Sequence, residues 1–464
     1  MLQEIKPWES NSTKFSLQIA DICHKKFKTI GKNGKPLAFQ NNSEWTVLAG
    51  IVACHIKESG EYYLDCISLG SGLKCLPQSK LCKTGNLIHD SHAEILTRRG
   101  FLKFIIDEMK SVLNSESTYF CLNNTNYPPF KLKDNITFHM YISQAPCGDA
   151  SVTSTTLNQP PEEAELYNNS YNRNIDSQNQ IFNDCEVKVY NMKDGFRRGR
   201  IDYESFGVLR TKPGRIDSEP TLSMSCSDKI AQWNVVGLQS ALLSELISPI
   251  YLSSITVGDM FYLEDLNRAL YDRLQGLTNL PHGYLLHRPV IIPASEKFER
   301  SKSYLSECLL DKDLIPSSTA IIWIKGFKSA EILVSGKKQG TIKSKTTSLY
   351  WSKARSLVTK LSLFQNLENL LSQIPRSLIP YDLIQFTEPN LQKNFTYSML
   401  KSTSKNYQNA KQALRSQKFH EWIKCPSEIY ESFNLHVIAG SFIHYSCFKW
   451  LTEKMSARES NVII

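Results

Sequence analysis

The sequence contains no long apolar run. No segment reaches the ~18 uninterrupted apolar residues that a membrane-spanning helix requires, so a membrane protein is not expected. Residues 1–11 hold no apolar core of the kind that directs secretion. A cysteine framework is missing as well: 12 cysteines lie at irregular intervals in a chain of 464 residues. That excludes a small disulfide-stapled scaffold and points to a reducing compartment, cytosol or nucleus. There is no internal repeat. The charge imbalance is modest, +9 at neutral pH, which suits an anionic partner without identifying one. Hydrophobic residues make up 41% of the chain, enough for a sizeable core, and the length permits two or three domains.

The chain does contain, in three short segments, the parts of a metal hydrolase site: His92-Ala93-Glu94, Pro146-Cys147 and Ser225-Cys226. A histidine and two thiolates can hold Zn²⁺ and leave a fourth position for water, whose pKa the ion brings toward neutrality. A carboxylate that is not a ligand, here Glu94, can then move protons. An H-x-E with two cysteines elsewhere is the arrangement of zinc base deaminases, which add hydroxide at C6 of adenine or C4 of cytosine. The competing reading is a capping box. Ser91 and Glu94 stand in S-x-x-E spacing ahead of a helical run over 95–109, so Glu94 could simply satisfy the Ser91 amide.

The cysteine segments shift the balance. Cys147 follows an apolar run over 136–142 that reads as a buried strand, and Cys226 precedes a helical pattern over 230–246. Each candidate ligand therefore sits at or just before a helix start, where free N–H groups and the positive dipole end stabilise a thiolate. A lone buried cysteine is ordinarily a small hydrophobe; two of them and an H-x-E, all at helix starts, fit that reading poorly. The cysteines are 79 positions apart, not in a compact C-x-x-C, so spacing alone does not unite them.

Strands are expected over 45–53 and 62–69 with a turn at Glu58-Ser59-Gly60, over 138–142, 250–257 and 320–324. A helix is expected over 92–112 and a polar connection over 115–134. Strands alternating with helices give an α/β layered core. Residues 158–184, rich in Asn, Gln, Glu and Ser, read as a surface insertion. The C-terminal part, about 340–464, reads as helical with breaks at Pro375, Pro380 and Pro389. The stretch 193–215 carries Lys193, Arg197, Arg198, Arg200, Arg210, Lys212 and Arg215 among glycines. It is expected to be a flexible basic loop near Cys226 that contacts phosphates and catches a flipped base, with Lys212 and Arg215 as substrate contacts.

These motifs closely resemble the RNA-editing adenosine deaminase family. The resemblance rests on Asp90-Ser91-His92-Ala93-Glu94-Ile95, Arg98-Arg99, Pro146-Cys147-Gly148-Asp149-Ala150, and the run from Ser223-Met224-Ser225-Cys226-Ser227-Asp228-Lys229 through Trp233-Asn234-Val235-Val236-Gly237. It covers roughly 48–426 and thins to scattered positions after Pro293. Ser151 and the Lys212-Pro213-Gly214-Arg215 sequence are similar to the tRNA-acting branch rather than the duplex-RNA branch, and no separate duplex-RNA-binding domain is expected ahead of the catalytic region.

The resemblance implies one domain over 1–464 with a zinc core at about 45–260. Its fold would be a cytidine-deaminase-like layered α/β/α core with a mainly helical C-terminal extension. His92, Cys147 and Cys226 would hold one catalytic Zn²⁺, and Glu94 would shuttle protons. The family also buries inositol hexakisphosphate as a structural core. By resemblance Arg98, Arg99, Lys229, Tyr397, Lys401, Tyr407, Lys411 and Trp422 would line that site. Arg98 and Arg99 support this independently, since cations on a largely buried helix need anionic partners; the plain alternative for the later Lys/Tyr pattern is a solvated basic helix face. Three departures stand out: Gln232 replaces a family arginine, His89 replaces an asparagine, and Lys424-Cys425-Pro426 replaces Glu-Lys-Pro.

The expected reaction is hydrolytic conversion of adenosine to inosine in tRNA, at position 37 of alanine tRNA, with no obligatory protein partner. The alternatives are editing of other structured or duplex RNA, a nucleoside or cytidine deaminase, and a non-catalytic zinc RNA-binding protein. The basic loop argues against a free nucleoside, and an intact Glu94 against a purely structural zinc site.

Overall fold

The computed structural model describes residues 6–123, 127–158, 162, 196–201, 203, 205–214, 218–340, 353–386 and 395–434. The apolar run Leu48–Ile56 (β1) is buried at every position but its last, as expected of a strand covered on both faces. It forms the middle of an eight-stranded sheet. The other strands in chain order are β2 (Tyr62–Ser71), β3 (Ile136–Gln144), β4 (Leu252–Asp259), β5 (Val290–Pro293), β6 (Thr319–Ile324), β7 (Glu331–Val334) and β8 (Lys337–Lys338), and they stand side by side as β5-β4-β3-β1-β2-β6-β7-β8. The β3–β4 and β4–β5 pairs are parallel and the rest antiparallel, so the sheet is mixed.

Alternation along β1 divides the core. Ala49, Ile51 and Ala53 face the larger apolar cluster. Leu48, Val52 and Cys54 face a second one. Helix α1 (Ser12–Thr29) covers the second face with Phe15, Ile19, Cys23 and Phe27. Helix α2 (Ala93–Leu113) covers the first with Leu96, Phe101, Phe104, Ile105 and Met109. Burying each such side chain contributes about 1.5–3 kcal/mol, which fixes α2 against the sheet and with it the residues at its start. The layered α/β/α core is thus present. Helices α3 (Cys226–Val236) and α4 (Leu263–Leu270) flank the same face. The C-terminal part adds helices α5 (Lys360–Leu371), α6 (Tyr397–Thr403) and α7 (Lys405–Gln417).

Several boundaries differ from the sequence reading. The strand expected over 45–53 is two: Asn42–Trp45 pairs with Asp313–Pro316 away from the main sheet, and β1 begins at Leu48. The polar connection over 115–134 holds a short antiparallel pair, Phe120–Leu122 with Phe130–Leu132, too brief to show a period. The helix expected to run to 246 stops at Val236, because Gly237 takes a left-handed φ of 75° and turns the chain. The proposed insertion at 158–184 and Pro389 lie outside the described residues, apart from the helix end at Asn158 and residue 162.

Candidate active site

Two glycines let α2 approach the sheet closely enough to aim its first turn. A Cβ at Gly70 would stand 2.6 Å from the Ala93 carbonyl oxygen and 2.9 Å from the Thr97 nitrogen. One at Gly100 would stand 2.2 Å from the Ser68 hydroxyl. The Thr97 hydroxyl donates to the Ala49 carbonyl at 2.9 Å, and the Ser68 hydroxyl donates to the Thr97 carbonyl at 2.9 Å. The capping-box reading does not hold: His92, not Ser91, is the N-cap, and it makes no side-chain cap bond. Ser91 belongs to the short strand Asp90–His92, paired with Leu73–Cys75. Glu94 is thereby free of a capping duty and lies buried on the first turn of α2.

β3 runs directly into Ala145-Pro146-Cys147, with the Ala145 amide held by the Asp259 carbonyl at the end of β4. Cys226 opens α3, whose N-cap Ser225 accepts from the Asp228 amide. Gly148 makes the approach of the two cysteine segments possible. Its φ is 104°, and a Cβ there would meet the Ser225 hydroxyl at 2.3 Å; only glycine fits both conditions. As a result one ligand atom each from His92, Cys147 and Cys226 lies within 4.8 Å of the others. The His92 Nδ1 is 3.8 Å from Cys147 Sγ and 3.5 Å from Cys226 Sγ. A histidine nitrogen and two sulfurs at this spacing are the protein half of a tetrahedral Zn²⁺ site with an open position, so the chain could hold a metal there.

The surroundings favour one anionic sulfur, that of Cys147, while burial and the neighbouring Cys147 push the Cys226 thiol up. The Cys226 amide donates to Cys147 Sγ at 3.3 Å. The Cys147 thiol is held well below its ordinary range, with the Cys226 thiol donating to it and Lys212 and His92 close by, against the cost of burial. The Glu94 carboxyl is pushed up, first by burial and then by the negative Cys147, the condition expected of a group that must hold a proton in turnover.

Asp90 is the buried hub that the sequence reading did not single out. Its Oδ2 accepts from Lys212 at 2.7 Å, from Lys229 at 2.6 Å and from the Ser223 hydroxyl at 2.9 Å, and its Oδ1 accepts from the His92 amide at 3.1 Å. Burial alone would raise its carboxyl, but Lys212 and Lys229 hold it well below the carboxylate range. Lys212 also donates to Cys226 Sγ at 3.2 Å. Lys212 is only 3% exposed, so its ammonium lies inside the site, committed to Asp90 and Cys226, rather than on a surface facing an RNA backbone. Arg215 and Lys193 lie outside the described residues.

The described part of the basic loop is more ordered than its composition suggests. Arg210 is fully buried and donates to the carbonyls of Gly199, Ile201 and Ser205, so it staples the loop from within. Leu209–Thr211 pairs with Phe196–Arg198. On the other side Asp149, two residues after Cys147, accepts from the Gly207 amide at 2.7 Å and from Arg268 of α4 at 3.2 Å. Asp228 of α3 is paired with Arg273 at 2.7 Å. These buried carboxylates lock the ligand-bearing turns to their neighbours.

A second cluster lies behind α2. The Arg98 guanidinium stands over the Trp233 ring and donates to the Leu238 carbonyl, while its Nη2 has no partner among the described residues. Arg99 donates to the Val358 carbonyl. Both are buried near Tyr397, and Arg98 also near Tyr407. Lys401 stands over the Tyr397 ring and pairs with Glu431 at 2.5 Å; Lys360 pairs with the same carboxylate at 2.9 Å. Burial, with Arg415 and Lys401 nearby, brings the Lys411 ammonium down to about 7. Arg415 stacks over Trp422, and its Nε is without a partner among the described residues. Lys229 faces Asp90 at the margin of this cluster. Lys360, Arg415 and Glu431 were not visible as members from the sequence. Of the departures, His89 accepts from the Cys82 amide and is brought down to about 4 by burial, Lys360 and Arg99, so it adds no charge; Gln232 accepts from Arg415 at 3.5 Å. Among the described residues, cations thus outnumber the nearby carboxylates of Glu431 and Asp90 in a largely buried space.

No helix among the described residues is long and apolar enough to cross a membrane. A family model described as "Adenosine-deaminase (editase) domain" matches residues 68–426. The tRNA-specific adenosine deaminase 1 of Drosophila melanogaster is 34% identical over 418 residues, spanning 89% of this chain and 95% of that protein. The human protein of the same name is 27% identical over 509 residues, spanning 89% and 99%. The double-stranded RNA-specific editase Adar of D. melanogaster is 29% identical over 394 residues, spanning 82% of this chain and 50% of the editase. The chain belongs to the adenosine-deaminase (editase) family.

Proposed function

We propose that this enzyme converts adenosine to inosine in tRNA, at position 37 of alanine tRNA, using one Zn²⁺ held by His92, Cys147 and Cys226. The observation that carries this reading is the convergence of three sequence-distant ligand atoms within 4.8 Å beside a buried Glu94. The tRNA assignment is supported by relatives named tRNA-specific adenosine deaminase 1 that align along nearly their whole length. When bound, Zn²⁺ supplies Lewis acidity and a water acidified toward neutrality. The target base is flipped out of its stack. Glu94 takes a proton from the attacking water as oxygen adds at C6. It delivers that proton to N1, then takes the second proton from the new C6 hydroxyl and passes it to the exocyclic amine; the C6–N bond breaks, ammonia leaves and the oxygen stays on C6 as the carbonyl of inosine. Lys212, through Asp90 and Cys226, holds the thiolate charge in place. Zinc removal tests the site: exhaustive chelation is expected to abolish inosine formation, and one equivalent of zinc to restore it. Full activity in metal-free protein would contradict the reading.

The cation cluster supports inositol hexakisphosphate as a structural ligand held by Arg98, Arg99, Tyr397, Lys401, Tyr407, Lys411 and Trp422, with Lys229 at the margin and Lys360 and Arg415 added. Phosphate oxygens would meet the open donors of Arg98 and Arg415 through charge-assisted hydrogen bonds. Lys411 gives a pH dependence. Arg415, Lys401 and Lys424 face it, with Glu431 the opposing charge. A bound polyanion favours its protonated form, so binding takes up a proton above about pH 7, and affinity falls as pH rises. Phosphorus retained by purified protein after dialysis is expected to be lower at alkaline than at mildly acidic pH, and a Lys411→Met variant is expected to lose that dependence. Phosphorus-free folded protein at every pH would contradict the assignment.

A further inference from the structure

Phe206 is a large aromatic side chain left 55% exposed, yet its position is fixed. The Gly207 amide beside it is tied to Asp149 at 2.7 Å, and Gly207 takes a left-handed φ of 74° that turns the chain out at this point. The Arg268 guanidinium lies 4.6 Å from the Phe206 ring and is itself anchored to Asp149 at 3.2 Å and Asp265 at 2.8 Å. Asp149 is fully buried two residues after Cys147. The ring is therefore coupled, through two contacts to one carboxylate, to the turn that carries a metal-ligand residue. Arg197, Arg198 and Arg200 belong to the same loop. A rigid exposed ring on a basic loop beside a deaminase centre has the composition of a nucleic-acid stacking platform.

We propose that Phe206 stacks on a nucleobase of the substrate RNA next to the flipped adenosine, with Arg268 holding the ring in place. The inference rests on the reading that the substrate is RNA. Arg268 fills one side of the ring and leaves the exposed side for a base. Stacking tolerates any base, so this contact supplies affinity and positioning rather than sequence choice. A planar ring is what matters: Phe206→Leu keeps apolar bulk but loses the π-face, and Phe206→Trp keeps it.

The test uses full-length zinc-loaded protein and a transcribed tRNA, measuring Kd, KM and kcat for wild type, Phe206→Ala, Phe206→Leu and Phe206→Trp. The side chain is half exposed, so melting temperatures are expected to stay unchanged. Phe206→Ala and Phe206→Leu are expected to weaken RNA binding and raise KM by roughly ten-fold, the size of one lost base stack, with kcat less affected. Phe206→Trp is expected to bind as wild type does, with its indole fluorescence quenched by RNA. The salt dependence of Kd is expected to be the same in all four, because no phosphate contact is removed. If wild type deaminates tRNA and Phe206→Ala and Phe206→Leu match it in Kd and KM, the stacking role is overturned and the RNA reading stands. If wild type binds and deaminates no RNA, both fall.

Discussion

Glu94→Gln is expected to lower kcat for inosine formation by about 10²–10⁴-fold, the range for loss of a positioned general acid–base, while the protein keeps its zinc. The substitution is isosteric and removes only the ability to carry a proton. Glu94 is no ligand in this arrangement: its carboxylate is absent from the His92, Cys147 and Cys226 group. Burial already pushes its carboxyl up, so a neutral amide suits the position and folding stability is expected to be retained or slightly raised. Metal content and single-turnover rates on the same preparation check this. Zinc loss in the variant would make Glu94 a ligand; an undiminished rate would assign the proton transfers elsewhere.

Asp90→Asn is the stability counterpart. The side chains of Asp90 and Lys212 are only 8% and 2% exposed, and Lys229 shares the same oxygen at 2.6 Å. Removing the one negative charge leaves two ammonium groups around a buried amide. Breaking a buried pair from one side costs about 3–5 kcal/mol, and that loss is expected in the denaturant midpoint. The effect should reach the metal as well, because Asp90 holds the His92 amide and Lys212 holds Cys226. A weaker zinc affinity is therefore expected beside the lower midpoint. Adding Lys229→Met to Asp90→Asn removes one stranded cation and is expected to recover part of the stability, a non-additivity that marks a shared network. An Asp90→Asn variant as stable as wild type would show that the lysines are neutralised by other groups.

The chemistry of the site was more legible in the sequence than its support. The H-x-E, the Pro-Cys and Ser-Cys segments and their places at helix starts named the three residues that the fold brings within 4.8 Å of one another, because candidate ligand types are few and local context identifies them. The family match over residues 68–426 ends where the sequence resemblance ends, at Pro426. The central strands and α2 were legible because burial on both faces leaves apolar runs that no polar pattern interrupts. The helix end at Val236 was not, since apolar residues continue past Gly237 and only its left-handed backbone stops the helix. Lys212 shows the limit of charge reading. A lysine among arginines in a Gly-rich stretch suggests a solvated loop, and only the tertiary placement of Asp90, 122 positions away, turns it into a buried ion pair. Arg210 was misread for the same reason: its partners are backbone carbonyls of its own loop, which no side-chain pattern announces. In the second cluster the tyrosines and lysines on α6 and α7 followed the family pattern, but Lys360 and Glu431 come from separate elements and meet only in the fold.

Inosine formation at position 37 of a transcribed alanine tRNA, read by sequencing after incubation with zinc-loaded wild-type protein and with Glu94→Gln, tests the central claim most directly. Inosine at that position with wild type alone is the predicted result and would establish reaction, substrate and proton carrier together. Zinc-loaded wild-type protein that leaves the tRNA unchanged while deaminating free adenosine would contradict it.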